Sequence, residues 1–133
     1  MGPCHLIIPH APVAKGRARV VKGGAYTPAK TAAAEDTIGE YWRAAYGARK
    51  PWDRSIPLGV QVKAVLARPR GSKRPSPTVR PDADNYLKLA LDALTGLAWS
   101  DDSQIISAEV VKRYADDSGE NEPRWEIRVW EEL

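Results

Sequence analysis

The sequence predicts an α/β domain of the α+β kind: one mixed β-sheet with two main helices packed on it. Three observations predict it. Ile38, Tyr41, Trp42 and Ala45 recur at helical spacing, and so do Leu87, Ala90, Leu91 and Leu94. Several short runs alternate apolar and polar residues as strands do. The 133 residues hold neither an internal repeat nor a change of composition that would mark a second domain. Residues 1–133 therefore read as a single domain, large enough for a core of its own.

The elements follow in order. His5–Pro9 reads as a first strand, ended by Pro9 and Pro12. Lys15–Val21 reads as a second, with Lys15, Arg17 and Arg19 on one face. Gly23-Gly24 is a hairpin turn signal and Ala25–Thr27 the return strand. Thr27-Pro28 opens a helix, with Thr as N-cap and Pro at N1, that runs to about Gly47. Its aromatic residues read as core, and Lys30 near its start is a candidate phosphate contact. Leu58–Ala67 is predicted to be a central strand. Arg68–Arg80 has three prolines, one glycine and five basic residues, and reads as a mobile basic loop. A second helix covers Asp84–Thr95, with Asp84 as N-cap and Gly96 as the C′ stop. Gln104–Tyr114 and Arg124–Trp130 are two further strands, predicted to pair as a hairpin across an acidic turn.

Composition narrows the function. Hydrophobic residues make up 43% and charged residues 28%, as in an ordinary globular protein. A single Cys4 excludes an intramolecular disulfide and a Cys-rich zinc site, and suits a reducing cytoplasm. No apolar run has signal-peptide or membrane-span length, so no membrane partner is expected. The net charge of +3 hides an asymmetry. Residues 1–80 carry fifteen Lys/Arg against four Asp/Glu, and residues 81–133 carry five against thirteen. A basic half beside an acidic one suggests a polyanion held next to a metal-binding site. The candidate contacts are Lys15, Arg17, Arg19, Lys30, Arg68, Arg70, Lys73, Arg74 and Arg80. The plain alternative is a solvated surface of uneven charge.

The acidic half centres on Arg80-Pro81-Asp82-Ala83-Asp84-Asn85-Tyr86-Leu87-Lys88. Asp82 and Asp84, two apart in extended backbone, point to one side, and Lys88 follows Asp84 by one helical turn. A helix over 84–95 is roughly 18 Å long. The seven residues Gly96–Asp102 can span up to roughly 23 Å, enough to bring Asp101 or Asp102 back beside Asp82 and Asp84. Clustered carboxylates are hard donors suited to Mg²⁺ or Mn²⁺. Such an ion serves phosphodiester hydrolysis, with Lys88 stabilising charge on the phosphate. The structural alternative is that Asp82 and Asp84 cap the helix, Asp84 and Lys88 form a surface pair, and Asp101-Asp102 is a turn. Asp92 reads as structural, and His5 and His10 as ordinary surface or packing residues.

The 80–88 segment, then Leu91-Asp92-Ala93-Leu94, Gly96 and Trp99-Ser100-Asp101-Asp102-Ser103-Gln104-Ile105, closely resembles the RusA family of Holliday-junction resolvases. Pro12–Arg19 and Tyr26–Thr31 resemble the N-terminal part of its phage-type members. The resemblance implies a homodimeric endonuclease, dependent on Mg²⁺ with Mn²⁺ as substitute, that nicks four-way DNA junctions symmetrically. It implies Asp82, Asp84 and Asp102 as metal-binding catalytic carboxylates, Lys88 as the catalytic lysine, and Asp101 as a further metal-ligand candidate. The chain contains no Phe, so a family role for a loop phenylalanine does not carry over. Branched DNA is the expected partner. The alternatives are a broader structure-selective nuclease acting on flaps or forks, and a non-catalytic DNA-binding module.

Overall fold

A computed structural model describes residues 2–16, 19–21, 24–26, 29–118 and 121–132; for 19–21, 24–26 and 118 it describes the backbone alone. The main sheet has four strands in the order β1-β6-β4-β5. These are β1 (Cys4–Ile8), β4 (Leu58–Leu66), β5 (Ile105–Tyr114) and β6 (Arg124–Glu131). A separate antiparallel pair, β2 (Arg19–Val21) and β3 (Gly24–Tyr26), realises the expected ribbon. Its turn signal at Gly23 lies partly outside the described residues, as does the helix start at Thr27-Pro28. Helix α1 (Ala29–Tyr46) and helix α2 (Ala83–Leu94) complete the α+β domain. No helix among the described residues is long and apolar enough to cross a membrane.

Alternation sets which way each strand faces. Cys4, Leu6 and Ile8 of β1 and Trp125, Ile127 and Val129 of β6 are buried, while His5, Ile7 and Arg128 are exposed. Both helices cover the buried side: α1 packs on β1 and α2, and α2 packs on β4 and β5. Ile38 and Trp42 of α1 and Leu89, Ala90 and Leu94 of α2 close the core. Complete burial of a side chain such as Leu89 or Ile127 contributes about 1.5–3 kcal/mol. A single added methyl at Gly59 would collide with the Trp130 ring, which lies across this glycine.

One pairing expectation is overturned. β5 and β6 form no hairpin. β6 inserts between β1 and β4, antiparallel to both, and β5 runs parallel to β4. A parallel pair needs a long crossover, and α2 supplies it. The sequence patterns account for the placement. β4 is buried along most of its length, as a strand with two neighbours should be. β5 exposes Ile106, Ser107, Ala108 and Glu109, as an edge strand can.

Candidate active site

The β4–α2–β5 crossover fixes where the acidic residues stand. α2 begins at the end where β4 and β5 finish: Tyr86 of α2 shares a cavity wall with Leu66 and Tyr114. Asp82, not Asp84, occupies the N-cap position of α2, with extended backbone at φ −70 and ψ 152. Its carbonyl accepts the Asn85 N–H at 3.1 Å, but its carboxylate makes no capping bond. Asp84 lies in the first turn, where the helix dipole favours a negative charge. Asp82, Asp84 and Lys88 are all exposed, and none of their side chains has a hydrogen-bond or ion-pair partner among the described residues. Neither carboxylate makes a capping bond and Asp84 makes no ion pair with Lys88, while the helix-dipole part of the structural alternative holds for Asp84.

The surroundings hold this end in place. Lys112 of β5 reaches across the sheet edge, and its Nζ donates to the carbonyls of Val79 and Pro81 at 2.9 Å each. On the other side the Lys15 N–H donates to the Asn85 carbonyl at 2.9 Å. The Lys15 ammonium lies between Glu35 of α1 at 2.6 Å and Asp92 of α2 at 3.0 Å. Burial pushes the Lys15 pKa down, but its bonds to Glu35 and Asp92 outweigh that and hold it above the ordinary lysine value. Lys15 is therefore a tether between both helices, and Asp92 has the structural role read for it.

The other end of α2 is built differently. Gly96 takes φ 87, the left-handed conformation expected of a C′ glycine, and its N–H donates to the Trp99 carbonyl at 2.7 Å. This tight turn buries Trp99 and consumes the residues that were to run back along the helix. The return is made by β5 instead. Asp101 and Asp102 stay at the C-terminal end of α2, separated from Asp82 on the order of the helix length, roughly 18 Å. The convergence of these carboxylates within one chain is corrected accordingly. Among the described residues no three His, Cys, Asp or Glu side chains of the chain gather closely enough to hold a metal.

Asp101 and Asp102 also differ from each other. Asp101 caps the short 3-10 turn Asp102–Gln104: its carboxylate accepts the Ser103 N–H at 2.9 Å and faces Arg54 at 3.5 Å. The bond from Ser103, ahead of the Arg54 charge, holds its carboxyl below the usual carboxylate range. Asp102 is exposed. Gln104 is the buried centre of the corner. Its Oε1 accepts the Ser100 and Asp101 N–H groups at 3.0 Å, and its Nε2 donates to the carbonyls of Asp53 and Ile56 at 2.8 and 2.9 Å. The Asp-x-x-Gln spacing of a capping box signals this role in the sequence. Lys112 had no such signal.

The basic residues divide in the same way. Arg68 is committed: it pairs with Asp116 at 2.7 Å and Asp117 at 3.3 Å, lies 4.3 Å over the Tyr114 ring, and donates to the Arg74 carbonyl. Lys30, Arg70, Lys73, Arg74 and Arg80 are exposed. Arg17 and the Arg19 side chain lie outside what is described. Residues 67–82 contain no helix or strand, and Pro77 within them is buried.

Two free carboxylates at an open helix start suit a hard cation that keeps most of its waters and takes one or two protein ligands plus phosphate oxygens. Fold and site together define a small α+β domain that displays a carboxylate pair beside a basic loop. The chain belongs to the endodeoxyribonuclease RusA family, whose model matches residues 9–130. It is also 44% identical over 55 residues to the "Uncharacterized protein YqaN" of Bacillus subtilis (strain 168). That alignment covers 41% of this chain and 35% of YqaN, well under two thirds of the relative's length.

Proposed function

We propose that this protein is a cytoplasmic, metal-dependent endonuclease that resolves four-way DNA junctions in recombination and repair. The observation that carries the reading is the pair Asp82 and Asp84, exposed and unpartnered at the start of α2, in a chain of this family. These two residues would hold Mg²⁺, or Mn²⁺ in its place. The chemistry such an ion supplies is activation of a water and neutralisation of charge at the phosphodiester. Lys88, exposed one turn along the same helix, stabilises negative charge on the phosphate. Arg70, Lys73, Arg74 and Arg80 contact the DNA backbone beside the scissile phosphate, with Lys30 a further contact. Such contacts position the substrate without reading its sequence.

A homodimer answers two needs at once. Paired nicks on strands related by a two-fold axis need two equivalent sites. A third carboxylate reaches Asp82 and Asp84 if the partner's Asp102 comes to them, since each chain keeps its own Asp102 at the far end of α2. β6 is interior to the sheet, so pairing of sheet edges would use β1 or β5. The test is incubation with a labelled four-way junction, with and without Mg²⁺. Symmetric paired nicks with metal alone are expected. Binding without any cleavage would favour a DNA-binding module, and a single nick on flaps or forks a broader nuclease.

A further inference from the structure

Lys112 sits on β5, at the edge of the sheet. An edge-strand lysine ordinarily turns to solvent, where its charge discourages pairing with other chains. Lys112 is instead half-buried, and it bonds the carbonyls of Val79 and Pro81, on either side of Arg80. Two of its three protons are spent on backbone oxygens. The next residue is Asp82. Because that carboxylate makes no bond to the helix it precedes, the region it can reach depends on where the backbone leading into it holds its Cα and Cβ. Lys112 grips that backbone, and it lines one groove with Thr78, Arg80 and Asp82.

We propose that Lys112 is a positioning residue for the reaction. It fixes the approach to Asp82, and so the place where the Asp82 carboxylate stands, and it acts through that carboxylate without touching DNA. The proposal rests on the reading of Asp82 as a metal-holding group. Groups that orient a metal ligand typically matter by 10- to 100-fold in metal affinity or activity. A misplacement of about 1 Å is enough to cause such a loss.

The experiment compares Lys112→Met and Lys112→Arg with the wild type and with Asp82→Asn. In Lys112→Met, kcat on a four-way junction should fall about 10- to 100-fold, and the Mg²⁺ concentration for half-maximal rate should rise. Junction affinity without divalent metal, and its salt dependence, should be unchanged. Lys112→Arg, which keeps a cationic donor, should recover most of the rate. Amide hydrogen exchange on the free protein gives a readout independent of cleavage. The Asn85 amide, which donates to the Asp82 carbonyl, should exchange faster in Lys112→Met while β4 and β6 keep their protection.

Wild-type rates in Lys112→Met would overturn the proposal. So would weaker binding with a salt slope reduced by about 0.9, the mark of a lost phosphate contact. Loss of protection across the whole sheet would reduce Lys112 to support of the fold. If the wild type cuts no junction with metal present, the functional reading fails. The exchange comparison then still decides whether Lys112 holds the approach to Asp82.

Discussion

At the start of α2 the Asp82 and Asp84 carboxylates have no partner among the described residues, whereas beyond its far end Asp101 has given an oxygen to the Ser103 N–H and faces Arg54. Both Asp82 and Asp101 occupy N-cap positions. Only Asp101 caps. An Asp at a helix start ordinarily accepts a backbone N–H and stabilises the helix. One that leaves this bond unmade has its oxygens open to water or to a ligand. Within the pair Asp101-Asp102 the same rule separates the residue that builds the corner from the one that faces outward.

The largest expected effect is at the carboxylates proposed to hold the metal. Asp82→Asn, Asp84→Asn and Asp102→Asn should each lower junction cleavage by at least about 10³-fold, with melting temperature and junction affinity retained. Mixing Asp82→Asn with Asp102→Asn sharpens the test. If the partner's Asp102 completes each site, one site of the mixed dimer has both residues intact, and nicking of one strand returns. Sites contained within single chains would stay silent in the mixture.

The next largest effect belongs to the corner. Gln104→Leu strips partners from the Ser100 and Asp101 N–H groups and the Asp53 and Ile56 carbonyls. Unfolding by urea should show a loss of roughly 3–5 kcal/mol, since each buried unpaired group costs about 1–3 kcal/mol and some recover water. A loss below about 1 kcal/mol would mean that the corner does not depend on this amide.

Smaller again is the contrast within the acidic pair. Asp101→Ala should lower the melting temperature by a few degrees, roughly what a lost cap gives in a domain of this size, and leave measurable cleavage. Asp102→Ala should do the reverse. The smallest effect is one of pH. The folded-state pKa of Asp101 is depressed, so its contribution is present above the ordinary carboxylate value of about 4 and is lost as pH falls through the lower folded value. The stability gap between wild type and Asp101→Ala should therefore close below about pH 4. A gap that widens in acid would contradict the capping role.

The elements were legible because their signals are local. Period-two alternation marks β4 and β6, Pro9 and Pro12 mark the end of β1, and Gly96 marks the end of α2. The face of α2 was less legible. Its apolar residues cover a little over half of the helix's circumference, and the buried stripe is centred on Tyr86, Leu89, Ala90, Ala93 and Leu94, whereas Leu87 and Leu91 at its edge are only partly buried. α2 meets both the sheet and α1, so its apolar stripe is broad. The acidic motif was readable as chemistry, but not its layout. Where Asp102 stands depends on the path of β5, a long-range pairing no local pattern encodes. Lys15 read as one of three alternating cations, yet its partners are 20 and 77 residues away, Glu35 and Asp92.

The insertion of β6 between β1 and β4 bears on synthesis as well as shape. A nascent chain can form the β4–α2–β5 unit once residue 114 has emerged, but β1 has nothing to pair with in the sheet until residues 124–131 are made. Contacts that close so long a loop form late and slowly. The first strand of the sheet thus waits for β6 before it has a neighbour. A chain cut short before Arg124 would carry the acidic helix without a finished sheet, so maturation of the whole fold awaits its final strand.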